Sequence, residues 1–151
     1  MLATGFGTGL APVASGTFGT LPGILIALAI APLALGWQVA IVAALVLAAV
    51  PVCGAAERHY GKKDDHRIVA DELTTFPLCV LGLPWTEHYW LLALAFFTHR
   101  LMDVIKPPPA RQAQVLPGGW GIVVDDVLSS TYALILNLGI YWVARRLGLA
   151  A

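Results

Sequence analysis

The sequence predicts an all-α fold, a helical bundle of apolar helices embedded in a membrane by several crossings. Hydrophobic residues make up 58% of the 151 residues, and charged residues only 12%, about half of the ~25% that is usual in soluble proteins. No segment alternates apolar and polar residues as a half-buried strand would. No internal repeat divides the chain, so we expect a single domain over residues 1–151.

The charged residues are confined to one part of the chain. Residues 1–56 carry none, sixteen of the eighteen lie between Glu57 and Asp126, and the last two are Arg145 and Arg146. The formal net charge is zero, which gives no basic surface for nucleic acid. Cys53 and Cys79 lack metal-site or CxxC spacing, so we expect both in the apolar core.

The first third of the chain predicts a loop and then two helices. Residues 5–23, GFGTGLAPVASGTFGTLPG, contain six glycines and two prolines, which predict a loop over most of this segment. Apolar segments at 21–36 and 37–56 predict two helices with a break at Gly36 and Trp37. The second is long enough to cross a bilayer, whereas the first contains Pro32 and is marginal.

The middle of the chain predicts a re-entrant or broken helical hairpin. A helix is expected to stop at Gly61, and another begins in IVADEL (68–73). Residues 73–97 are apolar but too short for two full crossings. A bend near Pro84 and Trp85 would return both ends to one side, so that Asp71 and Asp103 face each other. A last helix is expected from about residue 123 to Arg146.

The positions of the basic residues indicate on which side of the membrane the charged end of the bundle lies. Most of them lie at the charged end of the predicted bundle, which the positive-inside tendency places in the cytoplasm. Arg145 and Arg146 break this pattern if the last helix crosses. The alternative is a compact soluble bundle whose apolar helices form its core.

Acidic residues recur at the predicted helix ends, and they outnumber the basic residues beside them. The acids are Asp71, Glu72, Asp103, Asp125 and Asp126, and the bases are Arg67, Arg100 and Lys106. Arg100, Asp103 and Lys106 share one helix face by their spacing. Ion pairs such as Arg67–Asp71 and Arg100–Asp103 are one explanation, but three bases cannot neutralise five acids. The set therefore predicts a Mg2+ site, with nearby cations suited to a phosphate ester.

Two further features are weaker signals. Backbone N–H groups of the glycine-rich segment could cradle phosphate, helped by hydroxyls of Thr8, Ser15, Thr17 and Thr20. His66 is a candidate proton carrier, with an exposed loop histidine as the alternative. Because adjacent helical residues point about 100° apart, both members of Asp125-Asp126 need not bind one ion.

Four blocks of sequence together resemble one known family. They are GFGTGLAPVASGTFGTLPG, DDHRIVADE, HRLMDVIKPPPAR and GGWGIVVDD, in this order. The chain resembles the phosphatidylglycerophosphatase A family, bacterial Mg2+-dependent lipid phosphatases. The resemblance implies hydrolysis of phosphatidylglycerophosphate to phosphatidylglycerol, a cardiolipin precursor. It also implies a helical protein of the bacterial inner membrane, although the family has soluble helical relatives. Together with the apolar segments and the positions of the basic residues, this predicts a multi-pass protein whose active site faces the cytoplasm.

The resemblance also implies roles for individual residues. Catalysis falls to Asp71, Asp103, Lys106 and Asp126, and Mg2+ ligation to Asp71, Glu72, Asp103, Asp125 and Asp126. Substrate binding falls to Gly16, Thr17, Gly19, Thr20, Arg100 and Arg111. A metal-activated water is the preferred nucleophile, and an aspartyl-phosphate intermediate is the alternative. Ser15, Thr74-Thr75, Gln114 and Trp120 depart from the family pattern, but none of these changes removes an expected ligand.

Other functions fit the same acids. A small membrane carrier could coordinate a transported cation with them and would bind cations without releasing phosphate. A structural membrane subunit could pair them across helices, and replacing an acid by its amide would then lower stability rather than turnover. A related phosphatase could act on another phosphorylated head group.

Overall fold

The computed structural model describes residues 1–150, and every regular element in that range is helical, which confirms the all-α prediction. The helices are α1 (Ser15–Ile30), α2 (Leu35–Tyr60), α3 (Ala70–Thr75), α4 (Trp90–Ile105), α5 (Ala110–Ala113) and α6 (Gly119–Arg146). Short 3-10 helices span Gly5–Leu10 and Phe76–Val80.

The four longer helices share one polar end of the bundle. α1 and α6 begin there, while α2 and α4 end there, and the short α3 and α5 lie between them. α6 packs against both α2 and α4, whereas α1 packs against α3 and the Phe76–Val80 turn. One apolar cluster surrounds Phe76 and Leu91, and a second surrounds Cys53 and Ile122.

A broken helical hairpin positions the acidic residues, as the sequence predicts. The chain enters the bundle through α3 and the Phe76–Val80 turn, reverses over residues 81–89, and returns as α4. Gly82 in the reversal has a φ of +72°, a backbone conformation that glycine adopts without a steric penalty. Cys79, within the hairpin, and Cys53 are both fully buried, as expected. Asp71 and Asp103 consequently line the same cavity.

Three predicted boundaries are wrong. The glycine-rich segment is helical from Ser15 onwards, because packing against α3 outweighs its low helix propensity. The break between the first two helices lies at residues 31–34, and Gly36 is already in the first turn of α2. α6 starts at Gly119 rather than near residue 123, so that Trp120 and Gly121 already belong to the helix.

α2 and α6 are long and apolar enough to cross a membrane. Their most apolar windows have mean hydropathies of 2.6 and 1.5. Only 33% and 22% of those windows are buried inside the protein, whereas the core helix of a soluble protein would be mostly buried. Large apolar side chains such as Trp37, Leu47, Ile135 and Trp142 are exposed on these two helices.

Candidate active site

A polar cavity of about 230 Å³ lies at the charged end of the bundle. Four helices and the loop before α3 contribute to its wall. The lining residues are Ser15, Gly16, Asp64, His66, Ile68, Asp71, Glu72, Arg100, Asp103, Lys106 and Asp126. Seven residues of the predicted site line this cavity: Gly16, Asp71, Glu72, Arg100, Asp103, Lys106 and Asp126. The weaker candidates Ser15 and His66 also line it. Asp125 does not line the cavity but accepts a hydrogen bond from Lys106, which does.

Arg100 is held by two carboxylates. Its Nη1 lies 3.0 Å from Glu72 Oε1 and 2.9 Å from Asp103 Oδ2, so the expected Arg100–Asp103 pair is confirmed. The alternative pairing of Arg67 with Asp71 is wrong. Arg67 lies in the loop before α3, where helical spacing does not apply, and its Nε contacts Asp65 Oδ1 at 2.7 Å.

Lys106 follows the last residue of α4, and its side chain reaches α6. Its φ of 48° is left-handed, and the following proline disfavours a continued helix. Its Nζ donates a hydrogen bond to Asp125 on α6. The same nitrogen lies 3.6 Å from Asp103 Oδ1 and 3.7 Å from Asp64 Oδ2. Lys106 therefore joins the end of α4 to the start of α6.

Negative charge exceeds positive charge in this cluster. Arg100 and Lys106 are surrounded by six carboxylates, of Asp64, Asp71, Glu72, Asp103, Asp125 and Asp126. Four buried carboxylate oxygens have no hydrogen-bond partner within residues 1–150: Asp71 Oδ1, Glu72 Oε2, Asp125 Oδ1 and Asp126 Oδ2. Since buried polar atoms are nearly always paired, these oxygens indicate a site for a cationic ligand.

Burial makes two of these acids hard to ionise. The pKa of Asp71 is raised well above its ordinary value, first by desolvation and then by the neighbouring charge of Glu72. The pKa of Glu72 is raised from 4.5 to about 7, because burial outweighs the opposite effect of Arg100. For Lys106, burial lowers the pKa, but the contacts with Asp125 and Asp103 raise it by more. The net pKa is therefore above its ordinary value, and the amine stays charged.

The donor set fits Mg2+ bound through few protein ligands. No group of three or more His, Cys, Asp or Glu side chains in residues 1–150 converges as a ready-made metal centre. Mg2+ usually keeps several waters and takes one or two carboxylates together with substrate phosphate oxygens. Asp71 and Asp126 line this cavity, and each carries one buried oxygen without a partner, so they meet that requirement.

Two glycines of α1 allow the helix to touch the acidic cluster. A methyl group on Gly16 would overlap Glu72 Oε1 and lie 2.7 Å from the Arg100 guanidinium nitrogens. A methyl group on Gly19 would lie 2.9 Å from Glu72 Oε2 and overlap Val69. Close packing thus explains both glycines, whether or not their backbone also contacts substrate.

The other predicted substrate-binding residues lie outside the cavity wall. Thr20 is fully buried and donates a hydrogen bond to the Gly16 carbonyl within α1. Thr17 is half-buried on the same helix, and Arg111 is exposed on α5. Their roles in binding substrate stay predictions.

Sequence reasoning missed two members of the cluster. Gln114 donates hydrogen bonds from Nε2 to Asp125 Oδ2 at 2.9 Å and to Asp64 Oδ2 at 3.3 Å. Asp64 is the first residue of the block DDHRIVADE, and its place in that block could have identified it from the sequence.

Ser15 donates a hydrogen bond to the His66 carbonyl at 2.6 Å, so its hydroxyl holds the loop before α3. His66 itself is two-thirds exposed at the cavity.

Comparison with known proteins identifies the family. The family model for phosphatidylglycerophosphatase A matches residues 1–141. The chain belongs to this family. A protein of Haemophilus influenzae named phosphatidylglycerophosphatase A is 35% identical over 94% of this chain and 88% of its own. The corresponding Escherichia coli protein is 30% identical over 94% and 84%.

A third relative carries a different name. A Bacteroides thetaiotaomicron protein named "putative phosphatidylinositol-3-phosphatase" is 34% identical over 95% of this chain and 93% of its own. No solved structure matches the chain. Family membership confirms the prediction of an enzyme that hydrolyses a phosphoric monoester.

Proposed function

We propose that this protein hydrolyses phosphatidylglycerophosphate to phosphatidylglycerol and phosphate, with Mg2+ as cofactor, at a bacterial inner membrane. The observation that carries this proposal is the composition of the cavity. Two positioned cations, Arg100 and Lys106, lie beside buried carboxylates whose oxygens lack partners. This combination suits a phosphate dianion and a divalent cation together.

Arg100 and Lys106 would bind the phosphate. Glu72 and Asp103 hold the guanidinium, and Asp125 holds the amine, so both cations are positioned before substrate arrives. Positioned groups of this kind lower the barrier because no ordering is needed during the reaction. Gly16 keeps the wall beside Arg100 free of a side chain.

Asp71 and Asp126 would hold Mg2+, with Glu72, Asp103 and Asp125 adding negative charge around it. When bound, the ion would polarise the phosphoryl oxygens and offset their charge. Water would attack the phosphorus, the ester P–O bond would break, and the Asp126 carboxylate would accept the proton of the attacking water. The leaving alkoxide would take a proton from solvent at the cavity mouth, where His66 lies.

The membrane would bring the lipid to this cavity. We propose a multi-pass arrangement in which the outward apolar faces of α2 and α6 contact the bilayer. The polar end would then lie at lipid head-group level. Most basic residues are at that end, which favours the cytoplasmic side.

A phosphorylated inositol lipid is the second candidate substrate. The name of the Bacteroides relative favours it, since that protein is as similar to this chain as the phosphatidylglycerophosphatases are. The cavity recognises a phosphate, and both lipids present one on a head group. They therefore belong in the same assay.

The test is phosphate release from each lipid in mixed micelles, with Mg2+ and with EDTA. We expect Mg2+-dependent release that is faster from phosphatidylglycerophosphate. Faster release from phosphatidylinositol 3-phosphate would favour the second substrate. Cation binding without phosphate release from either lipid would contradict the proposal and support a carrier.

A further inference from the structure

An apolar groove of about 320 Å³ runs between α1 and α4. Two aliphatic side chains of α1 form one wall of the groove. The opposite wall is formed by α4 and by the residue that precedes it. The lining residues are Leu21, Ile24, Tyr89, Leu92, Ala93, Phe96 and Phe97. Tyr89 and Phe97 are 73% and 71% exposed, so the groove is open to the surroundings of the protein.

The groove has a fixed apolar base. α1 and α4 both pack against the Phe76–Val80 turn of the hairpin. Ile24, Leu92 and Phe96 pack against the buried cluster that contains Phe76. The walls are therefore anchored in the core of the protein.

The groove begins one helical turn from the catalytic cavity on α4. Phe96 and Phe97 precede Arg100 by four and three residues, so they lie one turn below it on the same side of α4. On α1, Leu21 lies about 7.5 Å further along the helix axis than Gly16, which lines the cavity. From Phe97 to Tyr89 the groove extends about 12 Å along α4, and Arg100 lies one helical turn beyond Phe97.

We propose that this groove binds one acyl chain of the phospholipid substrate while its phosphate lies at Arg100. The inference rests on the proposed function and adds a binding site to it. A ligand that fills both compartments must carry a phosphate at one end and an apolar chain at the other. A single phospholipid has that form, whereas a second copy of this chain offers no phosphate to the cavity.

Ala93→Trp tests the groove because Ala93 is an exposed groove residue about 10 Å along α4 from Arg100. An indole there would obstruct a long chain but not a short one. We expect KM for long-chain phosphatidylglycerophosphate to rise about tenfold, the equivalent of one or two buried methylenes. The KM for the dihexanoyl lipid should stay unchanged. Ala44→Trp, on the exposed face of α2, is the matched control.

Equal KM values of Ala93→Trp and Ala44→Trp for the long-chain lipid would overturn the inference. An equal rise of KM for the long-chain and the dihexanoyl lipid would do the same.

Photolabelling with a long-chain phosphatidylglycerophosphate that bears a diazirine in its acyl chain is a second test, and it needs no turnover. We expect labelling of residues 89–97 that unlabelled substrate competes away. Labelling that persists under competition would indicate surrounding lipid and contradict the groove. If wild type releases no phosphate, the proposed function fails, and this labelling still decides the groove.

Discussion

Gly16 shows how little space separates α1 from the acidic cavity. Its Cα faces the ion pair between Glu72 and Arg100, and a methyl group would overlap Glu72 Oε1. We expect Gly16→Ala to lower the free energy of unfolding by about 1–3 kcal/mol, because α1 must move away from α3. Phosphate release should fall as well, since Arg100 would shift.

Gly139→Ala is the matched control for that change. Gly139 lies inside α6, and nothing lies within 4 Å of a methyl group placed there. The higher helix propensity of alanine should raise stability by about 0.5–1 kcal/mol. Thermal and denaturant unfolding of both variants in the same detergent would measure these effects. A Gly16→Ala protein as stable and active as wild type would contradict the close packing.

Single residues also show what the sequence could predict of the site. The spacing of Arg100, Asp103 and Lys106 predicted a shared helix face, and the ion pairs among them confirm it. Gln114 and Asp64 could not be predicted in the same way. Their contacts depend on how the proline-rich segment folds back, and nothing in local spacing encodes that fold.

Among the elements, a buried polar link joins α4, α6 and the hairpin. Thr98 on α4 donates a hydrogen bond to Asn137 Oδ1 at 2.9 Å, and Asn137 Nδ2 donates to the Cys79 carbonyl at 3.2 Å. Asn137 is fully buried. We expect Asn137→Ala to cost about 1–3 kcal/mol of stability, because the buried Cys79 carbonyl loses its donor, whereas the Thr98 hydroxyl keeps the Leu94 carbonyl as an acceptor. Chemical denaturation would measure it.

Leu138→Ala provides the comparison at the next position of α6, where the side chain is 41% exposed. It should unfold almost as wild type does in detergent. Equal stability of Asn137→Ala and wild type would show that the link does not hold the hairpin against α6.

α3 gives the metal-free protein a distinctive pH dependence. The folded state raises the pKa of Glu72 from 4.5 to about 7 and that of Asp71 in the same direction. Over that interval the native protein keeps protons that the unfolded chain releases, so stability in EDTA should fall as pH rises. The proposed Mg2+ would favour the ionised carboxylates, so we expect its stabilising effect to grow with pH.

Thermal unfolding from about pH 5 to pH 8, with Mg2+ and with EDTA, would check this dependence. Glu72→Gln should flatten the EDTA curve. Stability in EDTA that rises across this range would mean that the carboxyls of α3 are not desolvated as the structure indicates.

The start of α1 could not be predicted from local sequence. Glycine content predicted a loop, yet the segment from Ser15 is helical because Gly16 and Gly19 let it pack against α3. Low intrinsic propensity was the correct local signal, and a tertiary contact outweighed it. The hairpin was predictable, since its length and its charged ends allowed few other paths.

For the whole molecule, the exposed apolar faces of α2 and α6 are consistent with membrane association. Most of their apolar windows are not covered by the rest of the chain. We expect the protein to stay in the membrane fraction after alkaline carbonate extraction, which removes proteins held only by charge. Release into the supernatant, with a monodisperse protein in detergent-free buffer, would contradict the multi-pass proposal.

Asp126→Asn would show whether the acidic cavity performs Mg2+-dependent phosphate release. This change keeps the shape of a buried side chain but removes its charge. We expect phosphate release from phosphatidylglycerophosphate to fall by about 10²–10³-fold in a protein that is still folded. Glu87→Gln, the same kind of change in the exposed turn of the hairpin, should keep wild-type activity. Unchanged release by Asp126→Asn, in Mg2+ and from the same micelles, would show that Asp126 takes no part in catalysis and that the acidic cavity does not act as proposed.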